Sequence, residues 1–63
     1  MKELNRLKIV LVEKKITSKT LAGMLGKTPA TVSNWCTNKS QPDLITLDKI
    51  ANVLGCNLKD LIK

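Results

Sequence analysis

The side chains of this 63-residue chain that could do chemistry suit recognition better than reaction. Histidine and tyrosine are absent, Cys36 and Cys56 are the only cysteines, and the five carboxylates are scattered with no paired arrangement. Acid–base catalysis needs a poised proton donor or acceptor, and nucleophilic catalysis needs a base beside the nucleophile; the chain offers neither set. Two cysteines without histidine cannot build a four-ligand zinc site, and no glycine-rich phosphate loop occurs. We therefore expect no enzyme, no metal and no cofactor, with both cysteines as free thiols in a reducing cytosol. What remains is a run of small and amide side chains, Ala30, Thr31, Ser33 and Asn34, among lysines. An exposed helix face of such residues can approach the edges of base pairs, because bulk would hold the helix out of the groove. Asn34 can donate to and accept from adenine, and Ala30 or Thr31 can meet a thymine methyl.

Charge supports a polyanionic partner. Eleven Lys and Arg against five Asp and Glu give a formal charge of +6. From Lys14 to Pro42 there is no carboxylate, so Lys14, Lys15, Lys19, Lys27 and Lys39 place the excess on one stretch. A lysine-rich surface kept positive for solubility is the plainer reading of charge alone. An anionic membrane is a weaker partner, since no basic amphipathic helix with bulky aromatics is present. No apolar run is long enough to span a bilayer or to form a secretory signal, so a cytoplasmic location is expected.

The elements that must position these residues follow from caps and spacing. Thr17 can cap a helix running to Leu25 that buries Leu21, Ala22 and Leu25, and Gly26 ends it. Thr28 then caps a second helix with Pro29 at its first position, running to Asn38, with Val32 and Trp35 facing the first. Before them, Lys2 to Lys14 reads as a helix whose Leu4, Leu7, Val10 and Leu11 share a core face, with Ile16 tucking in the connection. Ile9 and Val12 fall on the opposite face, as surface residues or as a partner contact. After a polar loop from Asn38 to Pro42, Asp43 caps a helix with Leu44, Leu47, Ile50, Ala51 and Leu54 as its stripe and Gly55 at its end. A last short helix follows Asn57, with Leu58, Leu61 and Ile62 folding it back and Asp60 placed for a capping box. Gly23, inside a helix, costs about 1 kcal/mol against alanine, which a close approach of two helices would explain. Residues 1–63 thus read as a single all-α domain, a compact bundle of about five helices. Its core is modest, since a chain of this size buries only about 60% of its unfolded surface.

The segment TLAGMLGKTPATVSNWCTNKSQP, followed by LDKIANVLG, resembles the helix-turn-helix domains of the phage repressor and Cro type, also called the XRE type. Leu21, Ala22, Gly26, Val32 and Trp35 match that family's apolar, small, turn, apolar and apolar positions in order, and the likeness covers nearly the whole chain. The departures are Ser18 where the family often has Gln, Lys27 where it has an aliphatic residue, Cys36 where it has Glu, and Asn38 where it has Gly. The resemblance implies a lambda-repressor-like fold and a sequence-specific regulator of transcription, most often a repressor, with Thr28 to Asn38 in the major groove of duplex DNA. It carries base reading to Pro29, Ala30 and Asn34, with Thr31 and Ser33 beside them. Helix N-termini at Ser18 and Pro29 favour phosphate, so Ser18, Lys19, Thr28, Asn38, Lys39 and Ser40, with Lys27 in the turn, are the expected phosphate contacts. A single helix reads few base pairs, so a homodimer on a palindromic operator is expected, at least on DNA. The family's dimer contact maps onto Cys56, Asn57, Leu58 and Lys59. The alternative is an antitoxin-like or adaptor protein whose main partner is another protein.

Overall fold

The structure is a computed structural model, and it describes residues 4–63. Four α-helices follow one another, α1 Leu7–Lys14, α2 Ser18–Leu25, α3 Pro29–Cys36 and α4 Leu44–Leu54, and a 3-10 helix, Leu58–Leu61, closes the chain. Among the described residues there is no strand, only a single antiparallel bridge between Asn5 and Ile62. The all-α class is as expected, while the fifth element is a four-residue 3-10 turn rather than an α-helix.

Local chemistry explains the boundaries around α2, α3 and α4. Thr17, Thr28 and Asp43 each hold extended backbone and accept, through a side-chain oxygen, the amide proton three residues on, from Thr20, Thr31 and Thr46. Each bond satisfies one of the amides that a helix start leaves without a partner. Gly26 and Gly55 end α2 and α4 at φ +69, a left-handed conformation that a Cβ disfavours. Lys15 ends α1 in the same region at φ 58, a non-glycine cap that nothing in the composition announces.

The core gathers Leu7, Val10 and Leu11 of α1, Leu21 and Ala22 of α2, Val32 and Trp35 of α3, Ile50, Ala51 and Leu54 of α4, and Leu61. Ile16, Leu25, Leu47 and both cysteines pack against it from half-buried positions. Four expectations need correction. Helix α1 begins at Leu7, not Lys2: Leu4 to Arg6 form an extended strap and Leu4 is half exposed, while Lys2 and Glu3 lie outside the described residues. Helix α3 stops at Cys36, because Thr37 turns its hydroxyl back onto the Ser33 and Asn34 carbonyls and Asn38 takes φ 60. Leu44 is 66% exposed, since the first residue of α4 stands beyond the layer that its helical spacing implied.

The fourth correction concerns Gly23, where an added Cβ would meet nothing within 4 Å, so no close helix approach requires the glycine. Gly23→Ala is therefore expected to stabilise the domain by about 1 kcal/mol, by restricting the unfolded chain and favouring the helix. For a domain of this size that raises the melting temperature by about 4 to 8 °C. Thermal unfolding followed by circular dichroism checks it, and an unchanged or lower midpoint would refute the open-space reading.

Candidate nucleic-acid interface

Helices α2 and α3 pack against each other through Leu21, Ala22, Val32 and Trp35, and this leaves the other side of α3 uncovered. Pro29, Ala30 and Ser33 are exposed there, and Thr31 and Asn34 are half buried. The two faces are chemically distinct. Val32 and Trp35 are 0% and 6% exposed and anchor one side of α3, while Ala30 and Ser33 are exposed on the other. The Asn34 side-chain amide has no partner among the described residues and is available to a ligand. Thr31 differs: its hydroxyl lies 2.9 Å from that of Thr28, within hydrogen-bond reach.

The helix N-termini are not equal as anion seats. At α3, Pro29 has no N–H and the Thr31 amide already binds the Thr28 hydroxyl, so Ala30 alone has an amide to offer. At α2, Thr17 takes the Thr20 amide and leaves those of Ser18 and Lys19 without an intrahelical partner. The α2 end is thus the better seat, with the exposed Lys19 adding full positive charge. Lys27, Thr28, Lys39 and Ser40 are also exposed. The amides of Lys39 and Ser40 both donate to the Asn34 carbonyl, at 2.9 and 3.3 Å, so only their side chains can meet a phosphate. That bonding also ties the loop to α3 at the Asn34 carbonyl.

Asn38 leaves the phosphate set. It is 7% exposed, and its side-chain oxygen accepts from the amides of Leu4 (2.8 Å) and Asn5 (3.0 Å) and from Gln41 Nε2 (3.0 Å). Its Nδ2 donates to the Asn5 carbonyl at 3.3 Å. The left-handed backbone expected of Asn38 is present, but the side chain turns into the protein.

Residues 18 and 36, two of the departures from the resembling family, meet: Ser18 Oγ lies 3.7 Å from Cys36 Sγ. They border a shallow groove of about 310 Å³ between α1 and the ends of α2 and α3, which Lys8, Ser33 and Thr37 also line. Near the C-terminus, Cys56 and Leu58 are half buried, Asn57 and Lys59 are exposed, and both cysteines are free. Asp60 accepts the Asn57 amide at 3.0 Å, the acid's half of the expected capping box. Burial, and then the nearby Asp60, push the Cys56 thiol above its ordinary pKa, with Lys14 opposing them. Among the described residues no group of metal-ligating side chains comes together, and no helix is long and apolar enough to cross a membrane.

Comparison with known proteins agrees with this geometry. A family model for the Cro/C1-type helix-turn-helix DNA-binding domain matches residues 6–63. The crystal structure of a candidate DNA-binding protein from Bacteroides fragilis is 48% identical, with a TM-score of 0.94 over 95% of this chain and 97% of that one. Hydroxypropylphosphonic acid epoxidase from S. wedmorenis, solved with fosfomycin, is 28% identical with a TM-score of 0.77. All of this chain is covered in that match, but only 36% of the epoxidase, so the likeness is to one part of a longer protein. No curated protein matches the chain.

Proposed function

The chain belongs to the Cro/C1-type helix-turn-helix DNA-binding family, and from that premise we propose that it is a sequence-specific transcriptional regulator of duplex DNA, acting as a repressor. The observation that carries the reading is the division of α3: Val32 and Trp35 hold it, and Ala30, Ser33 and Asn34 face outward within a stretch that holds five lysines and no carboxylate. In this reading α3 enters the major groove, with Asn34 reading adenine and Ala30 and the Thr31 methyl against thymine, beside Pro29 and Ser33. The backbone of one strand meets Ser18 and Lys19 at the head of α2, and Thr28, Lys39 and Ser40 flank the path with Lys27. The protein is a binding module and not an enzyme, and it works inside the cell, where the DNA is.

Two copies bind a palindrome. Recognition helices one DNA turn apart lie about 34 Å from each other, whereas a single domain extends at most 26 Å. We place the contact at an edge, through Cys56, Asn57, Leu58 and Lys59, where the resembling family has its dimer contact; an interface that small would leave the dimer dependent on DNA. Selection of bound sequences from a random duplex pool tests the whole reading. Enrichment of a palindrome, with two chains per duplex at saturation, is the expected result. On the selected duplex, oxidation should link two chains through Cys56, Cys56→Ser should abolish the link, and Cys36→Ser should not. Because the Cys56 thiol is held protonated and the thiolate is the reacting form, the crosslink should form faster near pH 9 than at pH 7. One chain per duplex on a site without symmetry would refute the dimer.

A second reading rests on Ile9 and Val12, which are 51% and 70% exposed one turn apart on α1. An apolar pair there suits a protein partner, as in an antitoxin-like or adaptor protein. A selection that enriches no sequence would favour it over the regulator.

A further inference from the structure

We propose that the amide cluster of Asn5, Asn38 and Gln41 is a positioning device that ties the C-terminal turn of α3 to the segment where two protomers meet. The inference rests on the DNA-binding, dimeric reading above. Asn5 and Asn38 are the only buried polar side chains among the described residues, at 6% and 7% exposure. Asn5 Nδ2 donates to the Trp35 carbonyl at 2.9 Å and to Gln41 Oε1 at 2.7 Å, while its Oδ1 accepts the Leu7 amide at 3.0 Å. With the four bonds of Asn38, the strap is fixed to the last turn of α3 and to the loop behind it.

The same strap is bonded to the other end of the chain. The Arg6 amide donates to the Leu61 carbonyl at 2.9 Å and the Lys63 amide to the Leu4 carbonyl at 3.1 Å, around the Asn5–Ile62 bridge. Leu61 closes the 3-10 helix that begins at Leu58, inside the proposed dimer contact. Three residues, Leu4 to Arg6, thus brace the dimer segment against the recognition helix. Closing a helix needs far less than this: glycine in the left-handed position satisfies the last carbonyls without any side chain. A hydrogen-bonded amide cluster built on two buried asparagines adds direction, because each partner is met at a particular angle. A brace of this kind sets where α3 lies relative to the two-fold axis, and so which separation of half-sites the dimer accepts.

Asn5→Ser isolates the device without changing charge. A serine hydroxyl can still accept the Leu7 amide in a local turn, but it cannot reach the Trp35 carbonyl or Gln41. Asn38→Gly is the second variant, since glycine keeps the φ of 60 and removes the hub. At a temperature where circular dichroism shows both variants folded, each should bind the selected palindrome about tenfold more weakly, because the braced orientation becomes only a fraction of the population. Binding to random duplex should stay as in the wild type. The penalty for inserting one base pair between the half-sites should shrink, a readout that a loss of stability alone does not move. In the absence of DNA, the Lys39 and Ser40 amides should exchange hydrogen faster while those of Leu21 and Ile50 change only as global stability does. Unchanged discrimination and an unchanged insertion penalty would overturn the proposal, as would loop exchange that merely follows global stability. A wild-type chain that selects no palindrome would instead sink the regulator reading on which the proposal stands.

Discussion

Raising the salt concentration from about 50 to about 200 mM is expected to weaken binding to the selected duplex about a thousandfold. Each phosphate neutralised by a lysine releases condensed counterions, and log affinity falls by about 0.9 for each such contact per decade of salt. In the proposed dimer, Lys19, Lys27 and Lys39 from each of two subunits supply six charges, all exposed and none beside a carboxylate in sequence. Six contacts give a slope of about −5, which over a fourfold change in salt amounts to about three decades. Lys39→Ala should make that slope shallower and lower affinity for all sequences alike, because a phosphate contact carries no base information. Fluorescence anisotropy at three or four salt concentrations measures it. A slope near zero would remove the electrostatic footprint, and with it the roles given to the three lysines.

Asn34→Ala should cost about 1 to 3 kcal/mol per half-site on the preferred sequence and little on random DNA. On a palindrome both subunits carry the change, so the site-specific loss is about twice that figure. The structure sharpens the expectation. Asn34 serves the fold through its backbone carbonyl, which accepts from Lys39, Ser40 and the Thr37 hydroxyl, and alanine keeps that carbonyl in place. The amide side chain has no internal duty, so its removal should leave the melting temperature almost unchanged. Equal losses on both kinds of DNA would mean that Asn34 only positions the backbone. A large drop in stability would mean that the side chain serves the fold after all.

The contrast between Asn34 and Asn38 shows what a sequence exposes and what it withholds. Caps are local chemistry: Thr17, Thr28 with Pro29, Asp43, Gly26 and Gly55 each act within a few residues, so the starts of α2, α3 and α4 and the ends of α2 and α4 are legible by inspection. Asn38 and Asn5 act across a separation of 33 residues, and no local pattern announces that two amides meet. The same nonlocality moved the start of α1: Leu4 keeps helical spacing with Leu7, but the pull of Asn38 and Leu61 on the strap outweighs a further turn of helix. Leu44 misled for a geometric reason, since spacing assigns a residue to a stripe without saying where along the helix the core ends. For the interface, the outward residues of α3 were legible from its two anchors. That Ser18 touches Cys36 was not, although each departs from the resembling family's pattern.

The division of α3 has a consequence for how such a regulator can change its target over evolutionary time. Substitutions at exposed positions away from caps, cores and buried networks usually alter stability by no more than about 0.5 kcal/mol. Ala30 and Ser33 are exposed, and the Asn34 amide is unengaged, so three neighbouring positions can be rewritten almost without a folding penalty. Val32 and Trp35, interleaved with them along the same eight residues, tolerate no such freedom. If α3 reads bases as proposed, a lineage carrying this domain can drift from one operator to another in single mutational steps, each intermediate still folded while its base preference turns over.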